Sequence, residues 1–194
     1  KRFKEVVKRC REAFDMEVID DNVIKSEQMN LVRDVISLEE SNKDVLEKIF
    51  SSTKMLIATH CEDEATIQKN LEEQKAIYGD DIPMHLHPKI RSEEACYISS
   101  SNAIALAKKT GARLHVFHLS TAKETELFTN KIPLEEKLIT AEVCIHHLWF
   151  DESDYDKKGT LIKWNPAVKT ATDREGLWKA LLDDRIDVIA SDHA

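Results

Sequence analysis

The chain has 194 residues, with 28 lysines and arginines against 36 aspartates and glutamates, giving a formal net charge of −8. That acidity argues against general nucleic-acid binding, which needs a basic face to neutralise phosphates. With 42% hydrophobic and 33% charged residues the composition is that of a folded globular chain, and the apolar runs are too short to span a bilayer.

Residues 1–41 read as a mainly helical segment of unknown role. Phe3, Val6, Val7, Cys10 and Phe14 recur at helical spacing, and Met29, Val32, Val35 and Ile36 do so again, with a short strand expected at Met16–Ile19. From residue 42 onward the pattern alternates between helix and short apolar strand. A helix is expected over Asp44–Ser51 with Asn42 as its cap, a strand over Lys54–Thr59, and a helix over Glu64–Tyr78 stopped by Gly79. A longer helix follows over Ser92–Lys109, with Ser92 capping it and Gly111 just past its end. Then come a strand at Arg113–Phe117, a short helix at Ala122–Thr129 and a strand at Lys137–Ile145. Residues 151–172 read as a long polar loop, Arg174–Leu182 as a helix and Ile186–Ala190 as the last strand. Such alternation with near-continuous apolar strands marks a parallel sheet covered by helices: a small open α/β sheet, or part of a (β/α)8 barrel.

Four cysteines, Cys10, Cys61, Cys96 and Cys144, lie far apart without a CxxC pair. The charged N-terminal run KRFKEVVKRCREAF lacks the apolar core of a signal peptide. Together these features favour free thiols and a cytoplasmic location over a disulfide framework.

The chemistry is suggested by position. Three of the expected strands end at His60, His118 and Asp192. Parallel strands gather their C-terminal ends on one face, and in barrels that face carries the active site. Two imidazoles and a carboxylate converging there suit zinc or a similar borderline ion.

The words around these residues occur in a telling order: Thr59-His-Cys-Glu-Asp63, His87-Pro-Lys-Ile-Arg-Ser-Glu-Glu94, Val116-Phe-His-Leu-Ser-Thr121, Asn165-Pro-Ala-Val-Lys169 and Ala190-Ser-Asp-His-Ala194. Over residues 42–194 the sequence resembles the C-terminal half of a dihydroorotase of the amidohydrolase superfamily. The resemblance implies a half-barrel containing about the last four strands of a TIM-like (β/α)8 barrel. It further implies that His60 and His118 bind the metal, that Asp192 touches the metal and shuttles a proton, and that Asn165 contacts the substrate ring. The reaction implied is the zinc-dependent interconversion of N-carbamoyl-L-aspartate and dihydroorotate in pyrimidine biosynthesis, with one or two Zn2+ ions. Alternatives are another cyclic amidohydrolase, of hydantoinase or allantoinase type, or a non-catalytic relative that binds a partner enzyme.

The His-x-His-x-Arg word that such enzymes carry at their first strand has no assignable counterpart. His85-Leu-His87 matches it by letters but is followed by Pro88 and lacks a preceding apolar strand. The expectation is an incomplete site with little activity for the chain alone, a small-molecule substrate, and self-association or complementation by a second half-barrel. Other residues have plainer readings. His115 is expected to face away from His118. His146 and His147 lie at a strand end and are expected to support the following loop, with metal binding as the alternative, and His193 lies beside Asp192. Glu62 and Asp63 are expected to cap a helix, the three tryptophans to pack in the core or under the loop, and Lys169 and Arg174 to be surface charges.

Overall fold

The computed structural model describes residues 43–192. The expected N-terminal helices, the Asn42 cap and His193 lie outside the described residues. Four strands, β1 (Ile57–Thr59), β2 (Leu114–Val116), β3 (Ile139–Cys144) and β4 (Val188–Ala190), form one sheet. All its pairings are parallel, in the order β1-β2-β3-β4. The strands are shorter than the apolar runs suggested, because Met55 and Leu56 are exposed before β1 begins.

The helices are α1 (Lys43–Ser52), α2 (Glu64–Tyr78), α3 (His87–Ile90), α4 (Glu93–Thr110), α5 (Ile145–Trp149), α6 (Tyr155–Lys158) and α7 (Ala171–Leu182). Their ends follow from local chemistry. Asp63 caps α2 by accepting from the Thr66 backbone N–H at 2.9 Å, and Ser92 caps α4 by accepting from Ala95 N–H at 3.2 Å. Gly111 stops α4 in the left-handed conformation, at φ 72°. Thr170 and Asp173 form a reciprocal capping box at the start of α7. The expected helix at Ala122–Thr129 is only a 3-10 turn over Glu124–Leu127. The expected loop 151–172 contains α6 and two 3-10 turns, folded around a small core of Tyr155, Ile162 and Val168.

Strand register explains the layers. Leu114, Val116, Ala141 and Val143 pack with Phe50 of α1, Ile104 and Ala107 of α4, and Leu177, Ala180 and Leu181 of α7 in one hydrophobic cluster. These helices therefore cover a single face of the sheet. A sequential strand order requires this, because right-handed crossovers that never reverse direction all fall on one side, as in a barrel wall. The opposite face is polar. His115 there contacts Thr140 Oγ1 at 2.8 Å through Nδ1 and Glu142 Oε2 at 3.1 Å through Nε2.

At the N-terminal end of the strands, buried Lys137 donates to Asp187 at 2.6 Å, and Asp187 also accepts from Ala141 N–H at 3.1 Å. A cavity of about 270 Å³ lined by residues including Pro133, Lys137, Leu181 and Asp187 lies at this end. It is therefore separated by the length of the strands from the strand-end histidines. Among the described residues no helix is long and apolar enough to cross a membrane.

Candidate functional site

His60 is the residue after β1, and His118 lies two residues after β2. Side chains alternate along a strand, so His118 would share the helix-covered face of Val116. It does not, because His118 takes a left-handed backbone at φ 37°. The turn brings its Nε2 to 3.1 Å from Nδ1 of His60, with ring centroids 4.8 Å apart and the planes at 74°. Register puts His115 on the same polar face as Ala58 and Glu142. The strand-end turn, rather than alternation alone, thus decides which histidines meet.

Glu62, expected to cap a helix, instead turns inward. Its side chain is 1% exposed and its Oε2 lies 2.9 Å from His60 Nε2. The Arg91 guanidinium pairs with the same carboxylate. A carboxylate only accepts, so His60 Nε2 carries the hydrogen and the Nδ1 lone pair faces His118. Burial by itself would raise the Glu62 carboxyl, but the His60 hydrogen bond and the Arg91 charge outweigh it and hold the carboxyl below its usual range. His118 is also lowered, but by a different cause: burial, reinforced by neighbouring His60, pushes it down to about 4.

Asp192 lies two residues after β4, exposed, in a left-handed conformation at φ 50°. It makes no hydrogen bond to either imidazole among the described residues, and its negative charge acts on His118 and His146 from a distance. Asn165 is exposed at the head of the following loop, before a cis peptide bond to Pro166. Two buried histidines hold its flanks. His87 Nε2 contacts the Trp164 carbonyl at 2.8 Å, and His147 Nε2 contacts the Pro166 carbonyl at 3.0 Å. His85 is exposed, so the letters His-x-His do not describe a paired site here.

Sequence reasoning missed three placements. Lys169 is buried, at 6% exposure, and donates to the Ala167 carbonyl at 2.9 Å and Ser120 Oγ at 3.3 Å. Buried Glu124 accepts from Ser100 at 2.6 Å and Thr121 at 2.9 Å, and burial raises its carboxyl despite those bonds. Trp149 is 75% exposed instead of packed, while Trp164 stacks on His146 at 4.2 Å. Nothing in the hydrophobic pattern distinguishes a buried lysine from a surface one. Only its serine and carboxylate neighbours, brought together by the fold, do so.

The donor set fits a metal. Two imidazole nitrogens facing each other at 3.1 Å are close to the ~3.3 Å separation of neighbouring nitrogens around a tetrahedral ion with bonds of about 2.0–2.1 Å.

Comparison with known proteins bears on the same region. No family model matches the chain. It is 43% identical over 91 residues to a dihydroorotase of Latilactobacillus sakei, covering 47% of this chain and 21% of that protein. It is 35% identical over 138 residues to a dihydroorotase of Pediococcus pentosaceus, covering 71% of this chain and 31% of the relative. An allantoinase of Bacillus velezensis is 33% identical over 139 residues, covering 72% and 30% respectively. Among solved structures, the L-hydantoinase (dihydropyrimidinase) of Arthrobacter aurescens superposes with a TM-score of 0.67 at 26% identity, covering 76% of this chain and 32% of that one. The chain spans about a third or less of the length of these relatives. It is homologous to dihydroorotases over that span, and its structural neighbours are amidohydrolase-superfamily enzymes. The four parallel strands with helices on one face are a partial (β/α)8 barrel.

Proposed function

We propose that the chain forms the C-terminal half-barrel of a zinc-dependent cyclic amide hydrolase of dihydroorotase type, interconverting N-carbamoyl-L-aspartate and dihydroorotate in pyrimidine biosynthesis. The observation that carries the reading is the His60–His118 contact at 3.1 Å, made across the C-terminal ends of two adjacent parallel strands. His60, through Nδ1, and His118, through Nε2, would hold the ion. A divalent ion bound there supplies Lewis acidity toward the scissile amide and positive charge facing an anionic substrate.

The protein's own groups do the rest. Glu62 fixes the His60 tautomer through Nε2. The Asp192 carboxylate takes up a proton and returns it to the departing ring nitrogen, as general acid–base catalysis requires. Asn165 contacts the substrate ring, on a loop anchored by His87 and His147. The thiols of Cys61, Cys96 and Cys144 are free, which supports a cytoplasmic setting. β1 and β4 are the edge strands of the described sheet, so the chain is expected to self-associate or to pair with a second half-barrel.

Zinc titration of the full chain tests the site. The expected result is loss of one binding event, with at least tenfold weaker affinity at that site, in His60→Ala and in His118→Ala; the same number and affinity of zinc sites in all three proteins would overturn the reading. The chain alone is expected to turn dihydroorotate over little, because the His-x-His-x-Arg word of such enzymes has no assignable counterpart in its sequence. The allantoinase relative and the hydantoinase neighbour favour a second reading, hydrolysis of another cyclic amide. A preference for allantoin or hydantoin over dihydroorotate in the complemented barrel would select it.

A further inference from the structure

The turn after β3 carries three groups that the hydrolase reading leaves without a chemical role. Cys144 ends β3, and His146 and His147 lie in the first turn of α5. One ligand atom from each lies within 4.8 Å of the other two. Cys144 is fully buried and His147 is 2% exposed, while His146 is half-buried.

His147 is the informative member. Its Nε2 faces the Pro166 carbonyl, and a carbonyl only accepts, so Nε2 carries the hydrogen and the free lone pair sits on Nδ1. That Nδ1 is buried and has no hydrogen-bond partner among the described residues. Leaving such an atom unsatisfied costs about 1–3 kcal/mol. One ring nitrogen pinned by a backbone carbonyl, with the other open, is how proteins aim a metal-binding histidine. The His146 ring lies beside it, centroids 4.3 Å apart, and is braced from the other side by Trp164 at 4.2 Å.

We propose that Cys144, His146 and His147 form a thiolate–imidazole site for a zinc-like transition-metal ion, separate from the His60–His118 pair. One sulfur and two nitrogens are the ligand chemistry that zinc and its tetrahedral substitute cobalt(II) accept. With bonds of about 2.0–2.1 Å to nitrogen and about 2.3 Å to sulfur, neighbouring ligand atoms sit about 3.5 Å apart. The cluster therefore closes by about 1 Å on binding, and the half-buried His146 has the freedom to move. On coordination the Cys144 sulfur gives its proton to solvent and its electron pair to the cation; no electron is transferred. The negative charge of Asp192 acts on both Cys144 and His146 and adds to the attraction.

Cobalt(II) titration of the full chain, followed by absorption, tests this. The expected result is a sulfur-to-cobalt charge-transfer band together with tetrahedral d–d bands. Both persist when His60 and His118 are replaced by alanine, so failure of the hydrolase site leaves this signal intact. The charge-transfer band is expected to vanish in Cys144→Ser, and the affinity to fall at least tenfold in His146→Ala, with circular dichroism as the folding control. Should Cys144→Ser fail to fold, a sulfur neighbour at about 2.3 Å in the zinc X-ray absorption spectrum of the unsubstituted chain gives a second reading. A chain showing no thiolate band, a band that survives Cys144→Ser, or zinc without a sulfur neighbour would overturn the proposal.

Discussion

Glu62 Oε2 lies 2.9 Å from His60 Nε2 and is shared with Arg91, so a buried carboxylate orients the imidazole that faces His118. Replacing it with glutamine keeps the size but removes the charge that fixes the His60 tautomer. Glu62→Gln is expected to weaken zinc uptake at the His60–His118 pair by about 10–100-fold, the usual effect of losing such a supporting partner. Equilibrium dialysis checks this, with circular dichroism as the folding control; unchanged affinity would remove Glu62 from the site.

Gly176 sits within α7 where a Cβ would come 2.4 Å from Ala122 Cβ and 3.0 Å from its Cα. Alanine normally favours a helix over glycine by about 1 kcal/mol. Here the contact is with backbone and a methyl group that cannot swing away, so overpacking outweighs propensity. Gly176→Ala is expected to destabilise the chain by about 1–2 kcal/mol in urea denaturation.

Asp151 is hydrogen-bonded by Ser153 through both its hydroxyl and its backbone N–H, and it pairs with Arg174 at 2.6 Å. The Ser153 hydroxyl bond is the largest influence holding its carboxyl below the usual value, with Arg174 assisting. A depressed folded-state pKa contributes stability above the unfolded value of about 3.9, and loses it as pH falls through the folded one. Asp151→Asn is therefore expected to lower stability at pH 7 by up to about 1 kcal/mol, while the difference from the parent chain shrinks below pH ~4. A gap that stays constant from pH 7 to pH 2 would contradict the assignment.

Burial pushes the thiols of Cys61 and Cys96 up to about 11 and about 12. Since the thiolate is the reactive form, neither is expected to react with iodoacetamide at pH 8 in the folded chain. Both are expected to react within minutes in urea. Peptide mass mapping after a timed pulse assigns the label to each cysteine.

Much of the fold was legible because hydrophobic period and end signals agreed. The helix at Glu64–Tyr78 has its expected bounds, since Asp63 and Gly79 mark both ends chemically. The long helix Glu93–Thr110 differs by one residue from the expected limits, with Ser92 and Gly111 again deciding them. Loop 151–172 was not legible as structure, because its short turns close over Tyr155, Ile162 and Val168 through contacts that no local period announces. In the site, the strand-end positions of His60 and His118 were readable from where apolar runs stop. The inward turn of Glu62 and the burial of Lys169 were not, because both depend on partners 29 and 49 positions away, Arg91 and Ser120 respectively. The same holds for His147, whose orientation is decided by a carbonyl 19 positions further along.

His118 and Asp192 share a trait that the sheet itself does not need: both hold a left-handed backbone, at φ 37° and 50°. Side chains with a Cβ are disfavoured in that region by roughly 1 kcal/mol, a penalty glycine escapes. Architecture alone would therefore be served better by glycine at either place. A chain that keeps imidazole and carboxylate at two such corners gives up robustness for what those side chains can do, and swapping in glycine is the direction in which its durability and its usefulness would part company.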